Sequence, residues 1–267
     1  MTAGAMNAGT APTGGVALVT GAAGGIGRAV VRALAEQGTA VAAVDRDGDA
    51  LRRATAELTA AGLPVTAHPA DVTDADAVLA TVAAVEERLG PVEYLVNAAG
   101  LLRMGEVREL SGRDWAEMFA VNCGGVFHVS RAVVERMVPR GRGAIVTVAS
   151  NAAATPRAGM AGYAASKAAA SMFTKSLGLE VARHGIRCNV VAPGSTETPM
   201  LWSMWQDDSG RARTVDGSGA DFRVGIPLGR IARPEDIAAA VLFLLSEQAG
   251  HITLHGLTVD GGASLGA

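Results

Sequence analysis

Cysteine is scarce in this sequence, and the two that occur form no pattern. Cys123 and Cys188 lie far apart among 267 residues, which excludes a disulfide framework and a zinc-binding spacing. The five histidines show no ligand spacing either. We therefore expect no metal, and we expect both cysteines to be reduced core residues of a cytoplasmic protein.

Long apolar runs and blocks of like charge are also missing. No stretch approaches the roughly 20 apolar residues of a membrane span. The net charge of −3 is spread along the chain, which disfavours nucleic acid or a membrane as a partner. Residues 1–14 are small and polar, unlike a signal peptide, and predict a flexible tail before one folded domain at 15–267.

What the sequence does contain is a regular alternation of short apolar strands and longer helical patterns. This alternation predicts an α/β fold with a single doubly wound, Rossmann-type sheet. Residues 195–224 interrupt it and carry several Met and Trp residues. We interpret this segment as a lid over an apolar ligand, although ordinary packing of these side chains would give the same pattern.

A glycine-rich turn, Thr20-Gly-Ala-Ala-Gly-Gly-Ile-Gly27, joins the first strand to the first helix. Such a turn lets backbone amides approach a pyrophosphate, and a purely structural turn is the alternative. Asp45 ends the second strand, where a carboxylate accepts hydrogen bonds from a ribose and repels a 2′-phosphate. This favours NAD over NADP, although the adjacent Arg46 could attract a phosphate.

Three further polar positions follow apolar strands or interrupt a helix. Asp71 can meet an adenine amino group, or else Asp71 or Thr73 caps the next helix. Asn97 to Gly100 follow the strand beginning at Tyr94, where the strand order should reverse and open a crevice. Asn122 lies inside a helical pattern over 111–137, where a buried amide is either a kink with bound water or an incidental core group.

Tyr163 and Lys167 are four residues apart in an Ala-rich helical pattern and therefore share one face. An ammonium about 4 Å from a phenol, at an effective dielectric of about 20, would lower the phenol's pKa by about three units. Tyr163 would then approach the range of a general base. Ser150, at the tip of the strand from Gly143, should lie near the same edge of the sheet.

Taken together, the glycine turn, Asp45, Asn97-Ala-Ala-Gly100, Asn122, Ser150, Tyr163-x-x-x-Lys167 and Pro193-Gly194 closely resemble the short-chain dehydrogenase/reductase family. The resemblance implies a seven-stranded sheet, a nicotinamide cofactor, which Asp45 favours as NAD, and a homotetramer built through the two long helices and the C-terminal segment. It implies four catalytic residues: Tyr163 as base, Lys167 to lower its pKa, Ser150 to orient the substrate and Asn122 to hold a relay water. The implied cofactor contacts are Gly21, Gly25, Ile26, Gly27, Asp45, Asp71, Val72, Asn97, Ala98, Gly100, Tyr163, Lys167, Pro193, Gly194 and Thr198.

Other stretches, including Asn97–Gly105, Pro193–Thr198 and Val259–Ala267, are similar to one branch of that family. That branch aromatises cyclohexadiene carboxylates for catechol siderophores, which implies such an acid as the small-molecule substrate. The branch usually has Asp-Met-Gln where this chain has Pro199-Met200-Leu201. The ring's C2 substituent is therefore either hydroxyl, which we favour, or amino.

The ring carboxylate requires a cation, and Arg103 and Arg157 lie on segments expected at the pocket rim; each could equally be an ordinary surface arginine. Met160, Met200 and Trp202 are predicted to line the same pocket. A different class of function is a non-catalytic dinucleotide sensor. Sensors of this kind commonly lose the Tyr or the Lys, and this chain keeps both.

Overall fold

A seven-stranded parallel sheet forms the centre of the protein. The computed structural model describes residues 15–205 and 207–266, so the tail predicted at 1–14 lies outside the described residues. The strands are β1 Val16–Thr20, β2 Ala40–Asp45, β3 Val65–Pro69, β4 Val92–Asn97, β5 Gly143–Val148, β6 Ile186–Pro193, the separate short pair β7 Gly217–Ser218 and β8 Arg223–Val224, and β9 Gly256–Val259. The order in the main sheet is β3-β2-β1-β4-β5-β6-β9, with every pair parallel. The predicted doubly wound α/β fold is confirmed.

Helices cover both faces of the sheet and form two cores. They are α1 Gly25–Glu36, α2 Gly48–Ala60, α3 Ala75–Leu89, α4 Gly112–Phe119, α5 Val126–Arg140, α6 Ala161–Val181, α7 Pro199–Trp202, α8 Gly210–Asp216 and α9 Pro234–Leu245. On one face, apolar side chains of α1, α2 and α9 pack on the strands, with Leu34 and Leu244 among the most buried. On the other face, α3 and α5 contribute Val82 and Val133. Two covered faces explain why the strands are almost wholly apolar.

The helix predicted over 111–137 is interrupted. Between α4 and α5 the chain forms a π-helical segment, Ala120–Gly125, with Asn122 in its first turn. Gly125 lies so close to Val72 that an added Cβ would be 2.5 Å from the valine Cγ2. A π-helical segment widens the helix locally and is frequent at functional sites. The apolar periodicity did not predict the π-helical segment, although a kink at Asn122 was one of the two alternatives drawn from the sequence.

The residue that caps α3 is also not one of the two, Asp71 and Thr73, that the sequence suggested. Asp74 caps α3, accepting hydrogen bonds from the amides of Asp76 and Ala77. Asp71 instead accepts from the amide and hydroxyl of Thr73, at 2.9 and 2.8 Å. The capping role suggested for Asp71 or Thr73 is therefore wrong, and the Asp71 side chain remains at the carboxyl edge of the sheet.

The segment 195–224 folds into short elements outside the main sheet. These are α7, α8 and the antiparallel hairpin of β7 with β8. Leu201, Met204 and Trp205 pack with Ile226 in a small separate core. Some of the apolar side chains that were predicted to face a ligand therefore pack against each other and stabilise the segment itself. Its role as a lid remains a prediction.

None of the described helices is long and apolar enough to cross a membrane. Among the same residues, no group of three or more His, Cys, Asp or Glu side chains is arranged to hold a metal ion.

The packing of Gly194 gives a testable prediction about the crevice edge. A Cβ on this residue would lie 2.5 Å from Asp260 Cβ and 2.8 Å from Asp260 Cα. We expect Gly194→Ala to lower the free energy of unfolding by about 1–3 kcal/mol, because the backbone after β9 has to move. The matched control is Gly112→Ala, where nothing lies within 4 Å and where we expect a change within about 0.5 kcal/mol. Equal denaturant midpoints for the two variants would contradict this prediction.

Candidate active site

Two cavities adjoin at the carboxyl edge of the sheet. The larger has a volume of about 580 Å³ and the smaller about 240 Å³. Ile26, Thr198 and Met200 contribute to the walls of both. The strand order reverses between β1 and β4, so the loops after these strands diverge and open the smaller cavity. The two cavities together form one crevice with two compartments.

The smaller cavity begins at the glycine-rich turn. Gly21 has φ +66°, and a Cβ there would lie 2.7 Å from the backbone of Ala98. Gly25, the first residue of α1, contacts Thr198 closely enough to exclude a side chain. No side chain caps this helix, so its first amides point into the cavity without a side-chain partner. Uncapped amides at a helix N-terminus suit a phosphate group.

Acidic side chains lie at the other end of the smaller cavity. Asp45 Oδ2 accepts a hydrogen bond from the Ala23 amide at 3.1 Å, and Oδ1 accepts from the Asp47 amide at 3.1 Å. Each oxygen keeps a lone pair for a sugar hydroxyl. Arg46, Asp71 and Val72 also line this end. The glycine turn and the carboxylate together fit the pyrophosphate and ribose of a dinucleotide.

Asn97 differs from most of the residues predicted to contact the cofactor; Lys167 is the other one that lines neither cavity. Its side chain is buried and donates to Ser130 Oγ at 3.0 Å and Thr147 Oγ1 at 3.3 Å. It joins β4 to α5 and β5 and does not line either cavity. Ala98 and Gly100 do line the smaller cavity, held there because the Ala98 and Ala99 amides donate to Thr20 Oγ1.

Tyr163 and Ser150 meet in the wall of the larger cavity. Tyr163 is only 7% exposed. Burial raises its pKa to about 12, and the hydrogen bond with the Ser150 hydroxyl lowers it only in part. Protein groups alone therefore move this pKa in the direction opposite to our expectation. Burial disfavours the phenolate, and the ammonium of Lys167 does not reverse that effect.

Lys167 lies deeper than expected. Its Nζ is 5.9 Å from the centroid of the Tyr163 ring and donates to the Val148 carbonyl at 2.9 Å. Burial lowers its pKa to about 8. Gly100 separates it from the smaller cavity, since an added Cβ there would lie 3.3 Å from Nζ. The ammonium thus retains two donors, although Lys167 itself does not line either cavity.

Asn122 lies beside this ammonium in the π-helical segment. Its Oδ1 accepts from the Leu101 amide at 2.7 Å, and its Nδ2 donates to the Leu101 carbonyl at 2.8 Å and to Ser166 Oγ at 2.9 Å. The amide is fully buried. It fixes the loop after β4 against α6, so it is not an incidental core amide. The predicted role in holding a water remains a prediction.

The residues predicted to contact substrate divide into two groups. Arg157, Met160 and Met200 line the larger cavity. Arg103 does not, because it forms ion pairs with Asp114 at 3.4 Å and Glu117 at 3.5 Å. Trp202 is 51% exposed and also lies outside the cavity wall. The structure therefore does not bring Arg103 and Trp202 into the site.

Sequence reasoning missed several side chains that line the larger cavity, among them Trp205 and Arg223. Trp205 takes the place expected for Trp202: it follows α7, packs in the small core with Leu201 and lines the cavity, whereas Trp202 is exposed. Arg223 enters from the hairpin strand β8. The spacing of Leu201, Met204 and Trp205 was a usable signal for the first, but nothing in the sequence predicted a hairpin for the second.

Pro193 ends β6 and Gly194 follows it, and both line the larger cavity.

A tyrosine, a serine and a buried lysine at the carboxyl edge of a seven-stranded Rossmann-type sheet define a class of oxidoreductase. The chain belongs to the short chain dehydrogenase family, whose sequence pattern it matches over residues 15–209.

Curated relatives extend this similarity over nearly the whole chain. The sequence is 54% identical to 2,3-dihydro-2,3-dihydroxybenzoate dehydrogenase of Bacillus subtilis (strain 168), over 95% of this chain and 97% of the relative. It is 46% identical to the Escherichia coli (strain K12) protein of the same name, over 93% and 96%. Among solved structures, a variant of actinorhodin polyketide ketoreductase with NADPH aligns with a TM-score of 0.87 and 37% identity, over 94% of this chain and 97% of that chain.

The hydrogen bonds of Asn122 predict that its replacement lowers both stability and turnover, and a control variant can separate the two effects. Asn122→Ala removes the side-chain partner of the partly buried amide and carbonyl of Leu101, at a cost of up to about 1–3 kcal/mol for each group. We expect reduced stability and a large loss of turnover, because the loop beside Lys167 is released.

The control for this variant is Asn189→Ala, which removes a similar clamp far from both cavities. Asn189 holds the Ile252 carbonyl at 2.9 Å and the His255 amide at 3.1 Å. We expect comparable loss of stability in thermal unfolding and nearly normal turnover at a temperature where the variant is folded. Equal loss of turnover in both variants would show that Asn122 acts through stability alone.

Proposed function

We propose that this protein oxidises the C3 hydroxyl of 2,3-dihydro-2,3-dihydroxybenzoate with NAD, giving 2,3-dihydroxybenzoate for a siderophore or other secondary metabolite. The observation that carries the proposal is the identity of 54% and 46% to two enzymes of that name, over almost the full length of each. The larger cavity supports it, because it combines a Tyr–Ser pair with apolar walls and a cationic residue, Arg157.

The residues of the chain have distinct roles in this reaction. Ser150 orients the C3 oxygen by hydrogen bonding, and Tyr163 takes the proton of the C3 hydroxyl. The bound dinucleotide supplies the hydride acceptor. Loss of that proton and a hydride leaves a C3 ketone, whose tautomerisation removes the C2 proton and gives the aromatic catechol. Aromatisation makes the overall oxidation favourable.

Lys167 has two tasks in this proposal. Its free donors serve the ribose next to the nicotinamide, and its charge favours the phenolate of Tyr163. Burial works against that phenolate and raises the pKa to about 12. A cationic ring bound nearby would add to the ammonium, so the tyrosine, the lysine and the cofactor should titrate as a coupled unit.

A second candidate substrate is trans-2,3-dihydro-3-hydroxyanthranilate, with an amino group at C2. Pro199 and Leu201 favour this candidate, because the dihydroxybenzoate branch usually has the polar residues Asp and Gln at these two positions. Leu201 lines the larger cavity and Pro199 the smaller one, so this change makes the site less polar where the two compartments meet. Oxidation at C3 would follow the same steps and give 3-hydroxyanthranilate.

The decisive experiment offers both acids to the protein with NAD and follows the absorbance of the reduced cofactor. We expect turnover of 2,3-dihydro-2,3-dihydroxybenzoate to exceed turnover of trans-2,3-dihydro-3-hydroxyanthranilate. Faster turnover of trans-2,3-dihydro-3-hydroxyanthranilate would establish the second candidate. Dinucleotide binding with no turnover of either acid would favour the sensor and contradict the proposal.

Tyr163→Phe tests the assignment of the base. Without the hydroxyl no group is placed to take the C3 proton, so we expect kcat to fall by about 100-fold or more with dinucleotide affinity nearly unchanged. In the unmodified protein the rate should rise with pH, because the phenolate is the active form and burial raises the pKa of Tyr163, keeping it protonated at neutral pH. A Tyr163→Phe protein with most of its turnover would refute the role.

Asp45 gives the prediction for cofactor choice. The carboxylate should repel a 2′-phosphate, so we expect NAD to be preferred, and Asp45→Asn should shift the ratio of kcat/KM toward NADP by about tenfold or more. Arg46→Gln is the matched variant and should remove residual use of NADP. The ketoreductase solved with NADPH shares this fold, so family membership alone does not set the preference. An unchanged ratio in Asp45→Asn would contradict the assignment.

We also propose a homotetramer. The two long helical regions expose large apolar side chains, with Phe127 41%, Met172 64% and Leu179 72% exposed. Apolar side chains in these positions are typical of an interface between subunits.

A further inference from the structure

Two arginines reach the wall of the larger cavity from different parts of the chain. Arg157 comes from the loop before α6, and Arg223 comes from β8 of the hairpin. Arg157 Nη2 donates to the carbonyl of Ala263 at 3.4 Å, and Arg223 Nη2 donates to Ser195 Oγ at 2.9 Å. Each guanidinium has five N–H donors, so most of them remain available.

Neither of these arginines has a carboxylate partner within ion-pair distance in the described part of the chain. Arg213, a third arginine on the same wall, differs because it pairs with Asp207 at 3.3 Å. Asp221 also lines the cavity, but its carboxylate accepts a hydrogen bond from Ser218 at 2.7 Å. Arg157 and Arg223 are therefore two cations that share one cavity without a fixed counter-ion.

The surroundings of Arg223 disfavour its positive charge. Burial lowers its pKa, the like charge of Arg157 lowers it further, and Asp221 only partly opposes these effects. Two like charges near one partly dry cavity repel each other unless an anion binds between them. A carboxylate suits this position because its two oxygens accept hydrogen bonds from guanidinium groups in fixed planar geometry.

We propose that Arg157 and Arg223 together bind the ring carboxylate of the substrate, and that Arg223 makes the segment 195–224 part of the specificity site. The inference rests on the proposed function, which supplies the carboxylate. The backbone holds Arg223 in place: Gly217 has φ +88°, a Cβ on it would lie 2.5 Å from the Arg223 carbonyl oxygen, and Phe222 has φ 50°. This tight hairpin turns Phe222 outward, 95% exposed, and leaves Arg223 half-buried in the cavity wall.

The test measures binding directly, using the full-length protein saturated with NADH. The probes are 2,3-dihydroxybenzoate and catechol, which differ only in the carboxylate, and affinity is measured by calorimetry. We expect Arg157→Ala and Arg223→Ala each to weaken binding of the carboxylate by about 10- to 100-fold, the range for loss of a charge-assisted hydrogen bond. Catechol affinity should change little in either variant.

Arg211→Ala is the charge-matched control. Arg211 lies on α8 in the same segment but pairs with Glu197 at 2.9 Å and does not line the cavity. We expect this variant to bind both probes as the unmodified protein does. Arg223→Lys should recover part of the affinity for the carboxylate, since it keeps the charge and loses the planar geometry.

The outcomes separate this inference from the proposed function. Equal weakening for catechol and the carboxylate would show a packing role for Arg223 and overturn the inference, as would unchanged carboxylate binding. Arginine-dependent carboxylate binding without turnover of either dihydro acid would support the anion site and refute the proposed reaction. Turnover of a dihydro acid that does not depend on either arginine would support the reaction and refute the inference.

Discussion

The buried ammonium group of Lys167 connects the elements on which the proposed chemistry of this protein depends. Lys167 extends from α6 to the carbonyl of Val148 at the end of β5, next to Gly100 after β4 and the Asn122 amide in the π-helical segment. Burial lowers its pKa to about 8, so the positive charge is retained near neutral pH but is held at a cost. Gly100, which lies beside Lys167, lines the smaller cavity, whereas Tyr163 lines the larger one.

Burial shifts the pKa values of Lys167 and its neighbour Tyr163 in opposite directions. It disfavours the charged form of both, so the pKa of Lys167 falls while that of Tyr163 rises to about 12. Protein groups alone thus keep the tyrosine protonated and unreactive. In the proposed mechanism a second positive charge arrives with the oxidised cofactor, which links formation of the base to cofactor binding. Such a link would keep the reactive phenolate from forming before the cofactor is in place.

The segment 195–224 contributes to both compartments. Thr198 and Met200 border the two cavities, and Trp205 packs with Leu201 to give the segment its own small core. In our proposal Arg223 adds a charge from its hairpin to the charge of Arg157. Recognition of the substrate's acid group would then depend on a segment outside the main sheet, whereas the proton-transfer residues lie on α6 and just after β5.

The sequence by itself determined the parallel sheet and the residues at its carboxyl edge. Apolar strands, glycine turns and the spacing of Tyr163 and Lys167 are local signals, and parallel strands place their ends together whatever the details of packing. For the same reason the positions of Asp45 and Ser150 at that edge could be predicted from the sequence.

Only the tertiary structure decided which side chains enter the cavities and how burial changes their pKa values. Asn97 joins strands and Arg103 pairs with two carboxylates, because partners distant in the chain compete for these side chains. The division of the helix at Asn122 and the inward position of Arg223 likewise depend on contacts between distant segments. Desolvation acts on whole environments, so the raised pKa of Tyr163 could not be read from its distance along the helix to Lys167.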